Sequence, residues 1–314
     1  MREIAKEIFE KYEIRKTKKQ KEAFRGFVSA YAEEQGYKCK EEEGSFGARN
    51  IVVGNPDTAR VIYTAHYDTA PRLPLPNFIT PKNIWIYLLY QIVLSFVILL
   101  PLVIASFLAG LAVNLLSIDA ELGSLIFLLV DYTVLILAMI LLLAGPANKH
   151  TANDNTSGVT TLLCIMSDLP EELRDRVAFV FFDLEEVGLF GSAGFKAKHT
   201  AFLKATPIVN FDCVSDGDDF IFALRSGAKI YEDALGAAYQ CGEKFRVEIL
   251  SKGVFYPSDQ VNFPLGIGVC ALKRTKGGML YMDRIHTSRD IIYKEENIEM
   301  LAEGSIRFAK ALCS

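Results

Sequence analysis

The chain has 314 residues, 51% of them hydrophobic and 23% charged, and a formal net charge of −4. Those values describe a globular protein with a generous core and a weakly acidic surface. They leave no basic surplus for a nucleic-acid partner, and none is expected.

The first twenty residues are charged throughout and lack the apolar segment of a cleavable signal peptide. Thr17 and Gln20 have capping-box spacing, and Phe24, Phe27, Val28 and Tyr31 recur at helical intervals. A first amphipathic helix is therefore predicted over about Lys18 to Gln35. Arg15, Lys16, Lys18, Lys19, Lys21 and Arg25, balanced by neighbouring acids, read as its solvated face. Arg60 to Ala65 reads as a strand and runs into His66-Tyr67-Asp68.

From Ile84 to Ile118 there are 35 residues without a charge, and after a short link the run Leu125 to Ala144 carries only Asp131. Each run exceeds the ~18 apolar residues that mark a membrane-spanning helix. Residues 82–147 thus read as a transmembrane helical hairpin inserted into a domain built from residues 1–81 and 148–314. The 248 residues outside the insertion suit one large domain.

Beyond the insertion, Asn153-Asp154-Asn155 leads into a helix predicted from Gly158 to Leu169. Strands are predicted at Val177 to Phe182 and Pro207 to Phe211, and helices at Gly191 to His199, Tyr231 to Cys241 and Ile298 to Leu312. The strands are nearly continuous in hydrophobicity, as inner strands covered on both faces are. The alternation predicts an α/β class, an α/β/α sandwich around a mixed, mostly parallel sheet. Asp216, Asp218 and Asp219 read as turn residues. The six cysteines, at 39, 164, 213, 241, 270 and 313, stand singly, without zinc-knuckle or disulfide spacing, which suits a reducing compartment.

Ligands of such sheets bind beyond the carboxyl ends of the strands. Here one strand ends in His66 and Asp68, a second in Asp183-Leu184-Glu185-Glu186, and a third in Asp212. Asp154 stands before a helix and His286 lies near the C-terminus. Imidazole and carboxylate are the donors that a catalytic zinc takes.

In chain order, HYD at 66–68, NDN at 153–155 followed by SG, DLEEVGLFGS at 183–192, NFD at 210–212, SDQVNF at 258–263 and HTSRD at 286–290 resemble the M28 family of co-catalytic zinc metallopeptidases. Its aminopeptidases share a phosphorylase/hydrolase-like fold. The resemblance implies two zinc ions, with His66 and Asp212 on one, Glu186 and His286 on the other, and Asp154 bridging. It implies Glu185 as the general base that takes a proton from water and passes it to the leaving amine. Neighbouring side chains at a strand end point different ways, so Glu186 can ligate while Glu185 faces the water. Asp68 is expected to accept from the His66 ring and fix its tautomer. Tyr256 reads either as a donor to the tetrahedral oxyanion or as a core tyrosine. Gln260 stands where the family more usually has histidine, so no substrate-pocket role is carried onto it.

His66 and Asp154 have to meet at the metals although the insertion separates them. Both of its ends therefore emerge on one side, and two crossings are the simplest even number. The first run is longer than one span needs, so Pro101 is expected to kink it or its end to lie outside the bilayer. Asp131 is expected to face the partner helix or a polar cavity. Arg72, Lys82 and Lys149 flank the catalytic side while Asp119 and Glu121 lie in the link, so the positive-inside rule puts the catalytic domain in the cytoplasm. The expected function is a membrane-anchored aminopeptidase acting on peptides. A glutaminyl cyclase or carboxypeptidase on the same fold, a non-catalytic receptor or scaffold, a lid or oligomer interface in place of the hairpin, other divalent metals and the oligomeric state stay open.

Overall fold

The computed structural model describes residues 2–240, 242 and 244–313. Helix α1 (Glu3–Lys11) is followed by α2 (Lys18–Glu34), where both halves of the capping box form: Thr17 Oγ1 accepts from Gln20 N, and the Gln20 side chain accepts from Thr17 N. Strands β1 (Cys39–Glu43), β2 (Arg49–Val53) and β3 (Val61–His66) precede two long helices, α3 (Ile84–Leu115) and α4 (Ala120–Ala144). The remainder alternates: α5 (Gly158–Asp168), β4 (Val177–Phe182), α6 (Phe190–Lys198), β5 (Ile208–Phe211), β6 (Asp219–Leu224), α7 (Glu232–Ala238), β7 (Arg246–Leu250), β8 (Gly266–Arg274), β9 (Leu280–Tyr281) and α8 (Glu295–Cys313). The helix expected over Tyr231 to Cys241 is α7, shorter at both ends, and Cys241 lies outside the described residues.

The strands form one sheet of nine in the order β1-β2-β4-β3-β5-β8-β6-β7, with β9 on β8. Its centre, β4-β3-β5-β8, is parallel, while β1, β2 and the β6–β8 pairing are antiparallel. Alternation along β4 sorts its side chains between two cores. Val177, Phe179 and Phe181 face α2, α5 and α8, whereas Ala178, Val180 and Phe182 face Phe195 of α6. Helices thus cover both faces, and β3, β4 and β5 bury every residue.

The solvated face expected for the basic cluster is a correction. Arg15 is fully buried, donating to the carbonyls of Tyr67 and Tyr12 and to Thr156 Oγ1, while Lys21 pairs with Asp183 and Arg25 with Glu41. Only Lys18 and Lys19 are left exposed. The acids that balance these charges come from distant strands and not from the helix itself.

Helices α3 and α4 pack on each other and are long and apolar enough to cross a membrane. Their outer faces expose Trp85, Phe96, Phe107 and Leu129. At ~1.5 Å per residue α3 exceeds a ~30 Å hydrocarbon layer. Its first turns lie against the sheet domain: Tyr87 packs on Phe255, Tyr90 Oη donates to the Pro76 carbonyl at 2.7 Å, and Gln91 Nε2 reaches Asn77 Oδ1. Ser106 Oγ donates to Asp131 Oδ1 at 2.5 Å, so Asp131 faces the partner helix. The neck is closed by a bridge between Pro71 and Ala147, with Arg72 N donating to Pro146 O and Asn148 N to Ala70 O.

Candidate metal centre

Adjacent parallel strands fix the core of the site. His66 ends β3 and Asp212 follows β5, so their side chains meet at the carboxyl ends of the strands, while Asp183 after β4 turns away to Lys21 and Arg49. The backbone is turned sharply where ligands leave the strands. Leu184 (φ 56°), Cys213 (φ 56°) and His286 itself (φ 61°) occupy the left-handed region that non-glycine residues avoid. Asp154 enters from the start of α5, where Gly158 lies so close to the carbonyl oxygen of Phe211 that a Cβ would overlap it.

His66 Nε2 lies 3.3 Å from Asp154 Oδ1 and 3.4 Å from Asp212 Oδ1. His286 Nε2 lies 3.0 Å from Asp154 Oδ2 and 3.2 Å from Glu186 Oε2. Asp154 therefore offers one oxygen to each histidine. The donor atoms of His66, Asp154 and Asp212 lie within 4.8 Å of one another, as do those of Asp154, Glu186 and His286 and those of His66, Glu185 and Glu186. Asp68 stands behind the cluster, with Oδ1 3.6 Å from His66 Nδ1. The same carboxylate accepts from the backbone N–H groups of Glu185 (3.0 Å) and Glu186 (3.3 Å), so it braces the glutamate pair, while it stays beyond hydrogen-bond length from the His66 ring.

Charge crowding dominates the site. Burial lifts Glu185 well above the usual carboxylate range, and lifts Glu186 with the help of Asp154. Burial would lower His66 and His286, but Glu185 and Glu186 respectively, together with the touching aspartates, hold both rings well above their ordinary value. Asp154 sits low in spite of its burial because both imidazoles face it. His66 Nδ1, Glu186 Oε1 and Asp212 Oδ1 are buried without hydrogen-bond partners. Unpartnered carboxylate oxygens facing imidazole nitrogens, with a carboxylate shared between two such sets, are donors that suit divalent zinc.

Tyr256 has the environment of the core alternative. It is buried, and its hydroxyl donates to the Asp212 carbonyl at 2.9 Å, so its proton is committed to holding the strand end. Gln260 is likewise internal, donating to the Tyr256 carbonyl at 2.6 Å. Sequence reasoning gave no role to several groups that the structure brings to the site. Asp290 accepts from the N–H groups of Asn153 and Asp154, and Asn155 ties the start of α5 to the Phe211 carbonyl. Asp259 is fully buried near His66 with neither oxygen hydrogen-bonded, and burial pushes its carboxyl up to about 7. All lie inside the motifs, where a polar residue flanking a ligand was the available signal.

Carboxylates and imidazoles gathered at the carboxyl ends of a central parallel sheet are donors suited to a metal-dependent peptidase. The chain belongs to peptidase family M28, whose family model matches residues 138–306. No curated protein matches it in sequence. Among solved structures it is similar to Porphyromonas gingivalis glutaminyl cyclase, at 16% identity over 98% of both chains with a TM-score of 0.59. It is also similar to a Zn-dependent exopeptidase from Parabacteroides distasonis, at 15% over 97% of both chains with a TM-score of 0.58. The LapA aminopeptidase of Legionella pneumophila aligns at 14% identity over 99% of this chain and 68% of its own, with a TM-score of 0.56. At these identities the likenesses speak for the fold.

Proposed function

We propose that the protein is a membrane-anchored aminopeptidase with two zinc ions, His66 and Asp212 holding one, Glu186 and His286 the other, and Asp154 shared. The observation that carries this reading is the Asp154 carboxylate, directed with one oxygen toward each histidine. Bound zinc would lower the pKa of a water and polarise the scissile carbonyl. Glu185, raised by burial at the edge of the cluster, is suited to take the proton from the attacking water and return it to the leaving amine. Asp68 positions this base through its backbone N–H. The apolar hairpin is read as two spans, with the basic flanks Arg72, Lys82 and Lys149 and the catalytic domain on the cytoplasmic side.

A peptide mixture digested by zinc-loaded protein in mild detergent, beside Glu185→Gln, tests the reaction by mass spectrometry. Loss of single N-terminal residues in the wild type alone is expected. The likeness to a glutaminyl cyclase over nearly the whole chain favours a second reading, cyclisation of N-terminal glutamine with release of ammonia. The same spectra separate the two. Labelling of cysteines introduced into the catalytic domain, from outside intact cells, would overturn the orientation.

A further inference from the structure

Between α3 and α4 runs an apolar groove of about 550 Å³. Val97 and Pro101 form one wall, Val134, Leu137 and Leu141 the other, and Arg72 and Leu73 stand at its mouth. That mouth adjoins the metal centre. Leu73 N donates to the backbone carbonyl of His286 at 2.9 Å, so one residue touches both the groove and a metal-site histidine. On the other side Lys16 Nζ donates to Leu143 O at the end of α4, and the same ammonium feels the charges of Glu186 and Asp68. The hairpin base therefore borders the site, and the groove continues from it toward the apolar span.

We propose that this groove receives the apolar segment of a membrane-embedded peptide substrate, downstream of the bond that is cut. The inference rests on the aminopeptidase reading and names its substrate class. An apolar segment leaving the hydrocarbon loses none of its burial against aliphatic walls, but its backbone carbonyls need donors there. Arg72 supplies them: its guanidinium has no hydrogen-bond or ion-pair partner among the described residues, and it lines the groove beside Leu73, which reaches His286. A free peptide with a polar tail gains nothing from such a wall. Preference for apolar tails follows from the area buried.

The test uses a peptide with a free N-terminus, a short polar stretch and an apolar tail carrying a diazirine-bearing leucine. It is irradiated with full-length Glu185→Gln protein in phosphatidylcholine nanodiscs, and the adducts are mapped by mass spectrometry. Adducts on the half-buried groove residues Ile98, Val134 and Leu142 are expected, at least about tenfold fewer when Ala138→Trp fills the groove. Adducts spread over Phe107, Leu129 and Ile136, which are exposed outside the groove, or a yield indifferent to Ala138→Trp, would mean contact from the lipid side and overturn the proposal. In the wild type, kcat/KM for the apolar-tailed peptide should exceed that for a polar-tailed one by about tenfold. A ratio near one overturns the substrate class. Groove adducts with no cleavage of either peptide would uphold the groove and sink the aminopeptidase reading instead.

Discussion

The metal end of the sheet and the hairpin reverse the usual relation between side chain and solvent in opposite senses. At the first, His66, Asp154, Asp212 and Asp259 are charged or polar groups buried at 6% exposure or less. At the second, Phe107 and Leu129 are apolar groups exposed at 71% and 57%. Buried carboxylates without enough donors and an apolar surface without a cover are each costly alone. Each region thus lacks a complement that the chain does not itself supply, positive charge in one case and apolar cover in the other.

That contrast can be broken at several points. The largest effect belongs to the base: Glu185→Gln should lower kcat by about 10²–10⁴ with zinc content unchanged by mass spectrometry. A fall of less than threefold would remove Glu185 from the chemistry. Next comes the metal. Chelation should destabilise the sheet domain by about 4 kcal/mol if free zinc had stood a thousandfold above Kd, measured by denaturant melts with and without zinc. The hairpin helices should keep their circular dichroism in the same samples.

Smaller effects sharpen the comparison. Tyr256→Phe removes one neutral hydrogen bond and should cost about 1 kcal/mol of stability, with kcat falling less than about tenfold. A loss of about 10²–10³ would restore the oxyanion role. Within the hairpin, a double-mutant cycle on Ser106 and Asp131 should give about 0.6 kcal/mol of coupling, read from stability in bilayers, without altering peptide kinetics. Least of all is Asp219: burial would raise its carboxyl, but Arg246 and Arg274 hold it low. A depressed folded pKa stabilises above the unfolded value and is lost as pH falls through the folded one. Urea midpoints of wild type and Asp219→Asn should therefore converge below about pH 4.

Much of this could be read from residues alone because the site sits at strand ends. VAFVFF is legible as a strand because both faces are covered, and the acids after it stand out for the same reason. The Thr17–Gln20 capping box is local, and it formed as spaced. What escaped notice depends on distant partners. β1, CKEEE, shows no apolar alternation because it is an edge strand whose outward neighbours are water. Arg15 looked like a surface charge until carbonyls from Tyr67 and Tyr12 enclosed it. The Asp290 brace on Asn153 and Asp154 joins residues far apart in sequence, and no spacing announces it.

The sheet order carries a consequence for how the chain is made. β3 ends in His66 and lies between β4 and β5, yet both neighbours follow the hairpin in sequence. While the ribosome delivers α3 and α4, β3 has no partner strand and only β1 and β2 can pair with each other. The hairpin brings Pro71 and Ala147 together, so the later strands start beside the one they must join. Pairing of α3 with α4 then shortens the loop that folding has to close, and the order of synthesis puts the hairpin ahead of the strands that complete the site.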